Sequence, residues 1–441
     1  MTKPQSHDPL SKSACYLILL VAFLGWGFAG CHMAITSIVM RVAVADLLPA
    51  GSSEGDIGEW FGWLVCAFLF GAATGGYLFG VLGDRIGRAK AMSCSILCYS
   101  LFAAMTWYAQ SAQSLLVLRF LTCMGIGGMW PNGIALLSEA WPNVSRPVLA
   151  GVMGTSANVG ILLFSILTLT KHVTGDDWRW TMLVGATPLL LGIISWVFVP
   201  ESPRWLAVQQ TGDRVDTPKK GAGVGEIFRP PLLRLTLIGI MLGTIPLFGG
   251  WGVSNWATAW ASETGDKQQK AADGSDDEPK KKADPTLKSR ASIARSLPGS
   301  ITSLLGGAFA FYLGRKRSYF ILCLGALICT QFLFRSDPQD DAFLYWMAAL
   351  GAFSGAFFGW LPLCLPELFP TRVRATGAGV SFNWGRILTG VGVLASAAAL
   401  KQAFEGRYSD VGLITGFIYA VGMIVILLAP DISNSDLAEE N

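Results

Sequence analysis

Long apolar runs and short polar breaks alternate along the whole chain. A helix needs about 20 mostly apolar residues to cross a bilayer. Twelve runs fit that span, at about 15–37, 57–79, 91–110, 114–138, 148–171, 179–199, 233–260, 292–313, 318–335, 342–365, 375–399 and 411–430. The pattern predicts an all-α membrane protein with twelve transmembrane helices, which places both termini on one side. The polar segments of that side are the N-terminus, Gly80–Lys90, 139–147, 200–234, Arg315–Arg317 and 366–374, and they hold seventeen Lys and Arg. The loops of the other side, counted with the span ends that flank them, hold six, with the long insert 263–291 set aside. This excess predicts that the side of the termini is cytoplasmic.

The break between the second and third runs reads Gly-Val-Leu-Gly-Asp-Arg-Ile-Gly-Arg over Gly80–Arg88. Gly80 and Gly83 are expected to admit a neighbouring backbone, and Gly87 permits positive φ at the reversal. Asp84, Arg85 and Arg88 keep the hinge out of hydrocarbon. The same frame returns 227 positions later at Gly307, Gly314 and Arg315, with Phe311 in place of the acid. A second pattern, Glu139-x-x-Pro142-x-x-x-Arg146-x4-Gly151, returns as Glu367-x-x-Pro370-x-x-x-Arg374-x4-Gly379 at an offset of 228. Two motifs repeated at nearly one offset imply two homologous halves.

These motifs resemble loops of the major facilitator superfamily. Gly80–Arg88 is similar to the loop between helices 2 and 3, and the Glu139 and Glu367 segments resemble those after helices 4 and 10. Pro200-Glu201-Ser202-Pro203-Arg204-Trp205-Leu206 is similar to the end of helix 6 in sugar porters and in organic-acid and niacin-type porters. The resemblance covers about 15–430. It implies two pseudo-symmetric six-helix bundles, 15–199 and 233–430, joined by a cytoplasmic linker at 200–232, with cytoplasmic tails at 1–14 and 431–441. Such bundles rock about a midplane site and move a small organic solute across the cytoplasmic membrane by alternating access. The resemblance also implies a conformational latch of Gly80, Asp84, Arg85, Gly87, Arg88, Glu139, Arg146, Arg204, Glu367 and Arg374, whose charges hold the halves together in the outward-open state. The alternative is that these groups anchor helix ends at the interface.

Composition agrees with a membrane protein. Hydrophobic residues make up 52% and charged residues 14%, and mean hydropathy is +0.47, whereas soluble domains carry about 25% charged residues. The net charge of +3 says little alone, and no nucleic-acid partner is expected. All nine cysteines lie in or beside apolar runs without metal-ligand spacing, so they read as small packing residues. The first run lacks a small-residue cleavage site and is expected to stay as a signal anchor. The insert 263–291 holds seven acidic and seven basic residues and almost no large apolar ones, so it is expected to be flexible and coreless. Gly221–Gly225 has no strand before it and reads as linker. There is no Ser/His/Asp arrangement, metal cluster or Walker-type loop in the sequence. Neither enzymatic activity nor a cofactor or metal is expected.

Candidate solute-binding residues lie inside the runs. Arg119 opens Arg-Phe-Leu-Thr-Cys-Met-Gly-Ile-Gly-Gly, which resembles the family's helix 4 motif. In proton-coupled sugar porters an aspartate of helix 1, after a Gly-aromatic pair, would face it; here that context reads Gly27-Phe28-Ala29. His32 is the one ionisable side chain inside the first run. It is either a contact to substrate or proton, or a structural polar contact. Gly127-Gly128-Met129 stands where related porters often carry Gly-Gly-Glu. With both acids missing, proton symport by the usual route is not expected, although the proton is the candidate coupling ion. Arg386, deep in the eleventh run, is either an anion site suited to a carboxylate or a structural cation. Helices 1, 4, 7 and 10 line the cavity of this fold, which adds Asn132, Trp251, Asn255, Trp256 and Trp360; Asn383 joins them beside Arg386. Trp130 and Asn158 are weaker candidates, and Trp260 reads as an interfacial anchor. Arg119 and Arg386 tip the expected solute toward an organic acid. A sugar porter and a transporter-like receptor are the alternatives, and a monomer is expected.

Overall fold

The computed structural model describes residues 10–142, 144, 146–202, 205–206, 224–273, 284–370 and 373–430, with the backbone alone at Arg146, Pro147, Ala150, Val224, 268–273 and Ala375. Among the described residues the first half holds α1 (Lys12–Leu47), α2 (Glu54–Ile86), α3 (Arg88–Thr106), α4 (Ala112–Ala140), α5 (Arg146–Thr170) and α6 (Trp180–Phe198). In the second half, α7 runs from Leu232–Phe248 through a π-helical turn, Gly249–Val253, into Ser254–Asp273. It is followed by α8 (Leu287–Leu313), α9 (Arg315–Leu333), α10 (Asp341–Glu367), α11 (Arg374–Gln402) and α12 (Tyr408–Leu428). Ten of these twelve spans are long and apolar enough to cross a membrane; α9 and α11 are the more polar two.

Local chemistry sets the ends. Ser53 and Asp56 form a reciprocal capping box at the start of α2, and Ser111 and Ser114 do the same for α4. Gly87, between α2 and α3, has φ +105°, and Gly314, between α8 and α9, has φ +87°. An L side chain rarely adopts either conformation. The sequence repeat is therefore also a repeat of backbone conformation. It recurs in the breaks of α6 at Thr187–Pro188 and of α12 at Gly416–Phe417.

Small residues set the packing. A Cβ at Gly127 would stand 2.0 Å from the Ala72 carbonyl oxygen, so α4 touches α2 backbone to backbone. In the other half α10 meets α8 the same way, with Gly351 2.1 Å from the Arg295 carbonyl oxygen by the same measure. The halves meet along two seams, α2 with α11 and α5 with α8, which the repeat interchanges. Ser165 bonds Ser292 at 2.7 Å and Thr168 bonds Ser289 at 2.8 Å across the second seam.

Several boundaries differ from the sequence expectation. The first helix does not stop near 37 but continues to Leu47, because protein partners neutralise Arg41 on its last turns. The expected hinge Gly80–Arg88 shrinks to Gly87, since α2 remains helical through Ile86. The insert 263–291 is helical at both ends, where Glu263 and Lys288 are 6% and 3% exposed. Its polar residues pack against other polar groups, a pattern that a count of apolar side chains does not detect. Residues 274–283 lie outside the description.

Candidate solute-binding site

A cavity of about 420 Å³ lies between the halves. Its walls come from α1, α2, α4 and α5 on one side and from α7, α8, α10 and α11 on the other. The two sides differ in chemistry. The first half supplies mostly apolar and aromatic groups, with Trp26 against Trp130 at 5.0 Å between ring centroids. The second half supplies two cations, Arg295 and Arg386, and two amides, Asn255 and Asn383. Asn158 adds an amide from α5. Among the described residues that line the cavity there is no Asp or Glu.

The π-helical turn of α7 places one wall. Pro246 lacks an amide hydrogen and Gly249-Gly250 follow it, so the i→i−4 ladder loosens where the extra residue enters. The turn carries Gly250 and Trp251 into the wall. Trp251 stacks on Phe68 across the seam, 4.0 Å between centroids at 26°. Asn255 follows one turn later, its amide nitrogen donating to the Trp251 carbonyl at 2.9 Å.

Arg386 stands about 18 Å along α11 at 1.5 Å per residue. Its guanidinium carbon lies 4.8 Å from the Phe382 ring centroid. Among the described residues it makes no ion pair and no hydrogen bond. A cation inside a span costs several kcal/mol unless it faces a partner or a cavity, and this one faces the cavity.

Five of the expected solute contacts lie elsewhere. Arg119, 1% exposed, donates to the Thr36 hydroxyl at 2.8 Å and to the His32 carbonyl at 3.2 Å. His32 is fully buried, with Nε2 3.0 Å from the Gly185 carbonyl and Nδ1 3.4 Å from Arg119. That network assigns the Nε2–H tautomer, with Nδ1 accepting from Arg119. Both groups tie α1 to α4 and α6. Asn132 donates to the Phe79 and Gly128 carbonyls at 3.0 and 2.9 Å and joins α2 to α4. Trp256 donates to Ser396 at 3.1 Å, bracing α7 on α11. Trp360 donates to the Arg315 carbonyl at 3.0 Å, bracing α10 on α9. Each already has its polar atom engaged by protein. Trp260, read as an interfacial anchor, stacks on Phe334 with centroids 6.0 Å apart.

The cavity reaches Pro366 and Ala378, within about one turn of the chain ends of α10 and α11 on the face that holds the termini. Among the described residues the ion pairs of this terminal face each lie within one half. Asp84 pairs with Arg88 across Gly87, and Arg315 grips Glu367 at 3.1 and 3.2 Å. The Glu201 carboxylate accepts from the Ala89 amide at 3.0 Å, capping α3, and Ser202 donates to Glu139. Arg374 donates to the Phe369 carbonyl at 3.3 Å. Arg85 is exposed in the last turn of α2. Gly83 packs on Asn132, whereas Gly80, expected to meet a neighbouring backbone, has no atom within 4 Å of a Cβ built there. The Arg146 side chain and Arg204 lie outside the described residues. Among the described residues no latch pair bridges the two halves.

The bridging pairs stand at the opposite face, and sequence reasoning missed them. Arg41, 2% exposed, grips Glu54 at 2.8 and 2.7 Å in its own half and reaches Asp266 at 2.5 Å and Ser262 at 3.2 Å in the other. Tyr408 donates to Glu54 at 2.7 Å. Lys401 of α11 pairs with Asp56 at 3.1 Å and Glu59 at 2.7 Å of α2. Lys288 donates to the Val173 carbonyl at 2.8 Å. Among the described residues the molecule is closed at this face by pairs across the seam, whereas the cavity extends toward the terminal face.

A midspan cavity between two homologous helical halves, sealed at one face by ion pairs, fits a multi-pass membrane transporter of small solutes. The chain belongs to the Major Facilitator Superfamily, whose family profile matches residues 34–393. It is similar to the cis,cis-muconate transport protein of Acinetobacter baylyi, at 25% identity over 88% of this chain and 89% of that protein. It is also similar to the niacin transporter NiaP of the same organism, at 23% identity over 96% and 95%. Among solved structures, the partially occluded inward-open xylose transporter XylE of E. coli superimposes with a TM-score of 0.71 at 18% identity, over 96% of this chain and all of that one.

Proposed function

We propose that this transporter carries an organic acid through the cavity by alternating access, with the substrate carboxylate on Arg386. The observation that carries the reading is an arginine at mid-span that faces the cavity without a carboxylate partner among the described residues. A guanidinium fork matches a carboxylate bidentately. The Trp26, Trp130 and Trp251 faces suit an unsaturated or aromatic body, and Asn255 and Asn383 suit additional polar groups. The relatives named for muconate and niacin transport support the same solute class. The indoles and amides alone would serve a sugar equally; the unpaired charge of Arg386 favours the acid. The terminal face, richer in Lys and Arg, is cytoplasmic, the membrane is the inner membrane, and the monomer is the working unit. With no acid in the cavity wall, transport does not depend on a carboxylate proton carrier there. Uptake into proteoliposomes, screened against organic acids, their amides and pentoses, tests the reading. Uptake of acids is expected, and uptake confined to sugars, or binding without uptake, would contradict it.

A further inference from the structure

We infer that Arg295 is a second anion-binding group in the same cavity, so that the site selects solutes with two acidic groups. This inference rests on the Arg386 reading. The sequence boundary near 292 put Arg295 at the mouth of its span, but α8 begins at Leu287. Arg295 therefore lies about 12 Å inside the helix. It lines the cavity and, like Arg386, makes no hydrogen bond or ion pair among the described residues. The α8 backbone there is fixed, because Gly351 of α10 packs directly on the Arg295 carbonyl. One monoanion can neutralise one of these cations. A solute with an acidic group at each end neutralises both, while its apolar middle lies on the aromatic wall of the first half. Two cations in one cavity repel each other when no anion is bound, which sharpens the preference for a dianion.

The experiment uses the purified full-length protein and a series of dicarboxylates, from butanedioate to hexanedioate and benzene-1,4-dicarboxylate, each paired with its monoamide. The monoamide keeps shape and removes one charge. For the best-fitting pair, wild type is expected to bind the diacid about ten- to hundredfold more tightly, the usual worth of a charge-assisted bond. Arg295→Gln is expected to abolish that preference and keep the monoamide affinity, and Arg295→Lys to retain part of it. No preference in wild type for any pair would overturn the inference, as would an equal loss of both ligands in Arg295→Gln. Those failures leave the Arg386 reading intact. That reading fails separately if Arg386→Gln binds the monoamide and the uncharged diamide with unchanged relative affinity.

Discussion

Replacing Arg41 with Gln should open the face that this structure shows closed. Arg41 lies between Glu54 in its own half and Asp266 and Ser262 in the other. The grip on Glu54 survives separation of the halves, so it does not contribute to the difference between states. The cross-half part is a charge-assisted bond to Asp266, worth about 1.5–3 kcal/mol. The Asp266 side chain is 43% exposed, which moves the figure toward the low end. Removing Arg41 also leaves Glu54 and Asp266 as like charges across the seam. We take about 2 kcal/mol, or roughly thirtyfold in the equilibrium. A closed fraction of 99:1 would fall to roughly 3:1. The assay is the distance between nitroxides at Ala50 and Asp340, exposed positions of the two halves at this face, in a background without native cysteines. Arg41→Gln should transfer population to the longer distance, and Asp266→Asn should do so less. A folded Arg41→Gln protein with the wild-type distribution would refute the reasoning.

Other residues give sharper local tests. Glu201→Gln should lower the thermal midpoint by removing the anionic cap of α3, worth about 1 kcal/mol; an unchanged midpoint would show that the cap is idle. Gly314→Ala should cost only backbone strain of about 1–2 kcal/mol, since no atom lies within 4 Å of its Cβ position, whereas the Cβ of Gly87→Ala would stand 2.1 Å from the Glu201 carboxylate. Gly87→Ala should therefore express far less folded protein, and equal yields would contradict the geometry. His32→Asn should lower thermal stability while leaving substrate affinity close to wild type, because His32 serves Arg119 and Gly185 rather than the cavity. Loss of affinity at unchanged stability would place it in the site after all.

The fold could be read from the sequence because apolar runs of bilayer length and two repeated loop motifs are both local signals. Gly87 and Gly314 show how directly such a signal can translate, since both hold the positive φ that the reversal requires. The site was harder to read. Trp251, Asn255, Asn383 and Arg386 line the cavity, but Arg119, His32, Asn132, Trp256 and Trp360, candidates by motif or by the helix they sit on, do not. Depth along a helix follows from sequence; the direction a side chain faces follows from packing. Arg295 gives no sequence signal of its own because, three residues into the apolar run, it reads as an interfacial charge at the mouth of the span. Arg41, Asp266 and Lys288 were missed for the same reason, since each is buried only by a partner distant in sequence. Excising 263–291 is expected to damage the closure through Asp266 and Lys288.

The central claim is that Arg386 holds a substrate carboxylate. Its most direct test is the affinity of one acid substrate and of its amide, measured on wild type and on Arg386→Gln. Loss of a charge-assisted bond should weaken the acid by about ten- to hundredfold and leave the amide nearly unchanged, with Arg386→Lys intermediate because the planar fork is lost. An equal loss for acid and amide would make Arg386 a structural cation and contradict the account.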